Sequence, residues 1–252
     1  MQQSVIFSLV IELTQFSAII IFNQRLLRAE KTVFGGCADM EYLDNIRTTE
    51  KTSSTKTRMI AATVFFLLGI CLGTFSKYLD YRQAELPAVM QAIDQALDLH
   101  NFLGGLSPWI LIAVCISVYS CTAVIAAVDV FLFFSGMVAS YYIYSNYVAG
   151  FFPKSYAMIW IGLTIVSPIL AFICWYAKGK GLIALLLSAG IISVLMNTAF
   201  AYGVFYIGIR SWLNAVMMIL GIMILMRSLK ETIMMIGMGA VLAILLKIIL
   251  KF

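Results

Sequence analysis

The amino-acid sequence predicts an all-α membrane protein, a bundle of transmembrane helices. Hydrophobic residues make up 62% of the 252 residues, against roughly 45–50% in soluble domains. Charged residues make up only 12%, and the mean hydropathy is +0.98. A soluble globule has no polar surface to cover so much apolar area. The composition therefore excludes a soluble enzyme, a nucleic-acid-binding protein, a disordered protein and a secreted disulfide-rich domain.

Apolar runs recur along the chain and predict about seven or eight spans. A spanning helix needs about 20 mainly apolar residues. The first run carries Glu12 and Gln15 and is the weakest of the set, so the count falls to seven if this run does not cross. The predicted spans are 4–22, 59–76, 108–119 with its preceding turn, 123–148, 156–176, 182–205, 212–226 and 232–250.

Two polar segments separate the first three predicted spans. Residues 23–58 are basic and include the run TEKTSSTKT, which is typical of a solvated linker. The sequence thus predicts two regions, 1–58 (a first candidate span plus a basic cytoplasmic segment) and 59–252 (the helical bundle). Residues 77–106 are acidic, but Leu86, Met90, Ile93 and Leu97 recur there at helical spacing. This pattern predicts an amphipathic helix on the outer membrane surface, with Pro87 in its first turn.

The distribution of lysine and arginine predicts the orientation. Basic residues are retained on the cytoplasmic side of membrane proteins. Three basic segments, 23–58, 177–181 and 227–231, fall on the same side by alternation of the spans, and 77–106 falls on the opposite side. We therefore expect the first three to be cytoplasmic and 77–106 to be extracytoplasmic. The net charge of +5 follows from this topology and indicates no nucleic-acid partner; the bilayer is the partner that the composition predicts.

Polar and aromatic side chains occur at similar depth in the outer halves of four predicted spans. Such side chains are costly in lipid and tend to face the bundle interior. Together they predict an outward-facing cavity for a small amphipathic or cationic ligand. The alternative is that the rings anchor the interface and the amides join helices. The predicted substrate-binding residues are Tyr142, Asn146, Trp160, Asn197, Tyr202 and Asn214.

Asp129 lies near the cytoplasmic end of its predicted span. An intramembrane carboxylate of this kind can couple transport to a proton or a cation. The alternative is a structural aspartate near the interface, hydrated or paired with Lys178 or Lys180. In another span, Pro168 follows Ser167, and we interpret it as a structural kink. Lys247, near the end of the last span, is expected to extend toward the interface.

The sequence carries no motif of established chemistry. It lacks GxxxxGK[ST], HExxH and GxSxG patterns. Its five cysteines show no CxxC spacing, and His100 is its single histidine. We therefore predict no cofactor, no metal site and no catalytic residue.

Four segments resemble a family of bacterial polytopic membrane proteins for which no activity is established. They are NFLGGLSPW (101–109), VFLFFSGMVASYY (130–142), AGFFPKSYAMIW (149–160) and CWYAKGKG (174–181). The resemblance covers about half of the chain, between residues 77 and 212, and residues 1–57 have no counterpart in it. It implies a helical membrane fold and a bacterial cell membrane, and it implies no mechanism.

Three functions are compatible with these observations. The first is a transporter or permease-like protein that binds a small solute or a lipid-like molecule in the predicted cavity, with Asp129 as the coupling residue. The second is a membrane subunit or scaffold that docks a partner protein through residues 23–58. The third is an intramembrane enzyme acting on lipid, which would have to gather His100 with Asp94 or Asp98 at a cleft.

Overall fold

The computed structural model describes residues 45–49, 54–82, 85–202 and 206–250. Almost all of the described chain is helical, as the composition predicts. The elements are α1 (Thr55–Tyr81), α2 (Ala88–Leu97), α3 (Leu99–Gly104), α4 (Ser107–Tyr119), α5 (Ala123–Tyr147), α6 (Lys154–Trp175), a 3₁₀ turn (Tyr176–Lys178), α7 (Gly181–Ala199), β1 (Phe200–Tyr202), β2 (Ile207–Ile209), α8 (Trp212–Leu225) and α9 (Leu229–Leu250).

Five helices in the described residues are long and apolar enough to cross a membrane. They are α1, α5, α6 with its 3₁₀ turn, α7 and α9. The apolar helices α4 and α8 have only 13 and 14 residues, a length of about 20 Å against a hydrocarbon core of about 30 Å. The chain is thus a multi-pass helical membrane protein, but a count of seven or eight spans is not confirmed. The first predicted span, 4–22, lies outside the described residues.

Six helices pack side by side in the order α1, α5, α4, α8, α7, α9, and α6 covers α5 and α4. The two short helices therefore lie in the middle of the row and the long helices lie on either side. One apolar core surrounds Trp109 and Phe133, where α4, α5 and α6 meet. A second surrounds Leu111, Ile192 and Leu225, where α4, α7 and α8 meet. Helix α4 contributes to both cores and so joins the two halves of the bundle.

Glycines bring α1 and α5 into backbone contact. A Cβ atom added to Gly69 would lie 2.1 Å from the Phe133 carbonyl oxygen, and one added to Gly136 would lie 2.4 Å from the Phe66 carbonyl oxygen. Small residues allow this approach between membrane helices. Gly73 meets α5 one turn further along, beside Met137, so the two helices run parallel. Gly69 and Gly73, which form a GxxxG sequence, therefore have a structural role.

The bundle has two ends, which we call the basic end and the hairpin end. The basic end comprises Arg47 and the turns at 119–122, 175–181 and 226–228. The hairpin end comprises α2, α3, the loop at 148–153 and the β1–β2 hairpin. Two of the predicted cytoplasmic segments, 177–181 and 227–231, thus lie at the same end. Residues 77–106 reach the opposite end, as alternation predicts.

Arginines at the basic end donate to backbone carbonyl groups, including those at the C-terminal ends of α4 and α6, which have no partner within the helix. Arg47 donates to the Trp175 and Val118 carbonyl oxygens at 2.6 and 2.9 Å, and its guanidinium lies 4.3 Å from the centre of the Trp175 ring. Arg227 donates to the Ala177 and Ala184 carbonyls. Burial lowers the pKa of the Arg227 guanidinium, and the carboxylate of Glu231 opposes this shift.

The predicted span at 182–205 is wrong beyond Ala199, because a β-hairpin follows the helix there. Helix α7 ends at Ala199, and Phe200 pairs with Ile209 in a short antiparallel ladder. Aromatic and β-branched residues such as those of FAY and IGI favour extended backbone. Lys247 holds the hairpin on α9: its Nζ donates to the Tyr202 carbonyl and lies 4.3 Å from the centre of that ring. It therefore extends to the hairpin end, as predicted, and binds protein there.

Pro168 lies inside α6 without ending the helix. Proline has no N–H, so the carbonyl of Thr164, four residues earlier, loses its helical partner. The Ser167 hydroxyl donates to this carbonyl at 2.9 Å. The serine therefore compensates for the proline within a continuous helix, and the kink at Pro168 stays a prediction.

Candidate functional site

A cleft opens at the hairpin end between α1, α3, α5 and α6. It has a volume of about 400 Å³ and continues into a narrow cavity of about 20 Å³ deeper in the bundle. The two spaces share four lining residues, Ser76, Gly104, Tyr141 and Tyr156. We call the outer space the mouth and the inner one the floor.

The polar side of the mouth is built around His100. Helix α2 ends at Asp98, which adopts a left-handed conformation with φ of 55°. Aspartate tolerates this conformation better than most residues, and the turn directs α3 back toward α2. As a result the His100 Nδ1 lies 2.9 Å from Asp94 Oδ2, and the His100 backbone N–H donates to Asp94 Oδ1 at 2.9 Å. The Asp94 carboxylate is buried, with 3% of the residue exposed.

The opposite side of the mouth is formed by α1 and α5. The Lys77 ammonium donates to Asp80 Oδ2 at 2.5 Å and lies 5.2 Å from the centre of the Tyr141 ring. Lys77 is buried and Asp80 lines the mouth. Asp94 and Asp98 do not line the mouth but contact His100, which does. The carboxylates in and next to the mouth outnumber the Lys77 ammonium, and this balance of charge favours a cation.

Aromatic rings form the floor. The Trp109 Nε1–H donates to the Leu103 carbonyl at 2.9 Å, and the Tyr156 hydroxyl donates to the Gly104 carbonyl at 3.1 Å. The Tyr156 and Trp160 rings meet edge to face at 6.2 Å. The Tyr142 ring packs 5.1 Å from that of Tyr141. These contacts bind the polar atoms of Trp109 and Tyr156 to protein and leave ring surfaces facing the cavity, an arrangement suited to an apolar or cationic group.

Two of the six predicted binding residues, Tyr142 and Trp160, line this cleft. Both are mostly buried, with 8% and 7% exposed. The Tyr142 hydroxyl is buried and has no hydrogen-bond partner among the described residues. Asn146, one turn beyond Tyr142 on α5, is exposed and does not line the cleft.

The other three predicted residues lie at the opposite side of the hairpin end and form a separate cluster. The Tyr202 hydroxyl donates to Asn197 Oδ1, and the Asn197 amide donates to the Ala243 carbonyl of α9 at 3.1 Å. Asn214 donates to the Thr198 carbonyl at 3.2 Å. The structure therefore does not bring the six residues into one cavity: these three join α7, α8, α9 and the hairpin, which is the alternative stated for interhelical amides.

Asp129 lies two turns into α5 from the basic end. It is 4% exposed and makes no hydrogen bond or ion pair with the described part of the chain. Lys178, a predicted alternative partner, instead lies over the Tyr119 ring at 4.7 Å. A buried carboxylate without a partner is costly in a membrane helix, which is the property expected of a coupling residue.

Three residues that line the cleft were not predicted from the sequence: Asp80, Tyr141 and Tyr156. Each lies at the end of an apolar run, where an interfacial anchor is the ordinary interpretation. From the sequence, His100 was considered only as a residue that an intramembrane enzyme would require. Asp94 and His100 are six residues apart, which is not a helical spacing, and only the left-handed turn at Asp98 brings them together. The glycines of the NFLGG run mark the end of α3 and not the turn at Asp98.

Among the described residues, no group of three or more side chains is arranged to hold a metal ion.

A comparison of the chain with protein families, with curated proteins and with solved structures finds no match. The resemblance to a bacterial membrane-protein family and the bacterial cell membrane therefore stay predictions. The division at residue 58 and the docking of a partner through 23–58 also stay predictions, because most of 1–58 lies outside the described residues.

Proposed function

We propose that this protein is a transporter-like membrane protein that binds a small amphipathic cation in the cleft at its hairpin end. The observation that supports the proposal is the composition of the cleft, an aromatic floor beneath a mouth that is lined by Asp80 and by His100, which contacts Asp94 and Asp98. A cation over ring faces gains about 0.5–2 kcal/mol per contact. The carboxylates attract a cation and repel an anion.

Transfer across the membrane would require a second site beyond the cleft. Asp129 is the proposed coupling residue, because its carboxylate is buried and makes no ion pair with the described residues. It lies about 9 Å along α5 from Ala123 at the basic end, whereas the cleft lies at the hairpin end. A cation or a proton passing between the two ends would meet both groups in turn.

A matched pair of ligands tests the binding step. Phenyltrimethylammonium and benzenesulfonate have similar size and shape and opposite charge. We expect the cation to quench the tryptophan fluorescence of the purified full-length protein in lipid nanodiscs, because Trp109 and Trp160 line the floor. We expect benzenesulfonate to have no such effect. Equal binding of the two ions, or binding of neither, would contradict the proposal.

Two substitutions make this experiment specific for the cleft. Asp80→Asn removes a carboxylate from the mouth and should weaken binding of the cation roughly fivefold, the equivalent of about 1 kcal/mol. Glu231→Gln is the matched control, because Glu231 lies at the basic end near Arg227 and its loss should leave binding unchanged.

In proteoliposomes, Asp129→Asn should bind the cation normally but abolish uptake driven by a pH gradient.

A second candidate function is favoured by the Asp94–His100 pair. A carboxylate on Nδ1 orients the other nitrogen of a histidine for general-base chemistry. His100 lines the cleft, and its Nε2 lies 3.5 Å from Asp98 Oδ1, so this chemistry requires Nε2 to turn to a bound water in place of Asp98. The candidate is hydrolysis of an amphipathic ester. Release of nitrophenol from a short-chain nitrophenyl ester by the purified protein, and its loss in His100→Gln, would support this function over transport.

A further inference from the structure

Three side chains that line the cleft carry oxygens whose hydrogen-bonding capacity the described residues do not use. Ser76 and Tyr141 line both the mouth and the floor, and neither hydroxyl makes a hydrogen bond with the described part of the chain. Asp80 lines the mouth. Its Oδ2 accepts from the Lys77 ammonium at 2.5 Å, and its Oδ1 has no hydrogen-bond partner among the described residues. A ligand in the cleft therefore meets three hydrogen-bond acceptors.

These three side chains lie close together on one side of the cleft. Ser76 and Asp80 are four residues apart in α1, so they share one face of that helix. Tyr141 of α5 lies beside them, because the centre of its ring is 5.2 Å from the ammonium of Lys77, the residue that binds Asp80. We call Ser76, Asp80 and Tyr141 the acceptor cluster.

The floor beneath the acceptor cluster offers rings and little space. The carbonyl oxygens of Leu103 and Gly104 already accept from Trp109 and Tyr156. The volume of about 20 Å³ is enough for about one water molecule. The rings of the floor therefore have no room to enclose a trimethylammonium group, as the aromatic cages for quaternary ammonium ligands do.

We infer that the cation of this cleft is a primary ammonium, whose N–H groups donate to Asp80, Ser76 and Tyr141. This inference rests on the proposed cation binding and names the class of cation. A primary ammonium carries three N–H donors, as the lysine side chain does, and hydrogen bonds from a charged donor are stronger than neutral ones. Each methyl group that replaces a hydrogen removes one donor. A quaternary ammonium is thus held by charge and ring contact alone and binds more weakly.

A series of four ligands tests this inference: benzylammonium and its N-methyl, N,N-dimethyl and N,N,N-trimethyl derivatives. All four are cations at neutral pH, as lysine is, and they differ in the number of N–H donors. We expect tryptophan-fluorescence titrations of the full-length protein in nanodiscs to give an affinity that falls with each methyl group, by about tenfold or more over the series. Equal affinities, or tightest binding of the trimethyl derivative, would overturn the inference.

Two variants distinguish hydrogen bonding from a limit on size, because methyl groups also add volume. Ser76→Ala and Tyr141→Phe each remove one acceptor, and the second keeps the ring. Each should weaken binding of benzylammonium about fivefold and leave the trimethyl derivative unchanged. Tyr147→Phe, which removes an exposed hydroxyl of α5 outside the cleft, should change neither. A series that is as steep in both variants as in the natural protein would indicate a limit on size and overturn the inference.

The outcomes separate this inference from the function on which it rests. If none of the four cations binds, the proposed cation site itself is wrong. If they bind with affinities that do not depend on the number of N–H donors, the cation site stands and the preference for a primary ammonium is wrong. This comparison uses the natural protein, so it decides between the two even if a variant fails to fold.

Discussion

Tyr142 places a buried phenol hydroxyl in the floor of the cleft with no hydrogen-bond partner among the described residues. An unsatisfied buried polar group costs about 1–3 kcal/mol. A phenylalanine would fill the same space without this cost. The tyrosine therefore lowers stability at a position that lines a cavity, which is typical of a residue retained for a ligand.

Tyr142→Phe should raise the free energy of unfolding in the absence of ligand by about 1 kcal/mol. Tyr147→Phe is the control on the same helix, because Tyr147 is 53% exposed and its hydroxyl contacts solvent or headgroups; we expect no change there. Thermal unfolding of the purified variants, followed by intrinsic fluorescence, measures both. A lower melting temperature for Tyr142→Phe would show that the hydroxyl has a partner.

Asp129 and His100 illustrate what sequence reasoning at the residue scale can and cannot predict. Asp129 was identified as unusual because a carboxylate in an apolar run is unusual whatever surrounds it. The importance of His100 depends on Asp94 and Asp98, and their meeting depends on one left-handed residue. A rule that considers only neighbouring residues in the sequence can therefore identify Asp129 but cannot identify His100.

At the scale of elements, the contact between α1 and α5 positions the mouth. Helix α1 carries Lys77 and Asp80, and α5 carries Tyr141, so the spacing of the two helices determines how far apart these side chains lie. Gly136 is in contact with the α1 backbone at Phe66 and leaves no space for a methyl group.

Gly136→Ala should force α1 and α5 apart and lower the free energy of unfolding by about 1–3 kcal/mol. Gly162→Ala in α6 is the matched control, because nothing lies within 4 Å of an added Cβ there. Alanine also has the higher helix propensity, so this control should be neutral or stabilising by up to about 1 kcal/mol. Melting temperatures that are equal for the two variants would contradict the close helix contact.

Some element boundaries were predictable, although the predicted span 59–76 falls short of α1 (Thr55–Tyr81) by four residues at one end and five at the other. Three predicted spans agree with helices to within one residue: 108–119 with α4, 123–148 with α5 and 212–226 with α8. The reason is that turns such as YSCT (119–122) lower the hydropathy sharply between helices. The prediction for 182–205 was wrong beyond Ala199, since apolar residues of a hairpin contribute to mean hydropathy as helical ones do.

At the scale of the whole molecule, charge is distributed unevenly between the two ends. The basic end carries one acidic residue, Glu231, among the described residues that form it or begin α9. Its basic residues are Arg47, Lys178, Lys180, Arg227 and Lys230. By the positive-inside rule, this end is expected to face the cytoplasm and the cleft to open on the other side.

Cysteine labelling of intact cells tests this orientation. In a chain whose native cysteines are replaced by serine, Asp98→Cys should react with a membrane-impermeant maleimide, because Asp98 is exposed at the hairpin end. Lys180→Cys, exposed at the basic end, should react only after the cells are permeabilised. The reverse pattern would place the cleft on the cytoplasmic side.

The amino-acid sequence by itself determined the class of the protein, most of its helices and the segregation of basic residues, because hydropathy and charge act locally along the chain. The tertiary structure decided which polar residues share a site. It separated Tyr142 and Trp160 from Asn197, Tyr202 and Asn214, and it joined His100 to Asp94. The physical reason is that residues at equal depth meet only if their helices are neighbours. In the packing order α1, α5, α4, α8, α7, α9, helix α4 lies between α5, which carries Tyr142, and the helices α8 and α7, which carry Asn214 and Asn197.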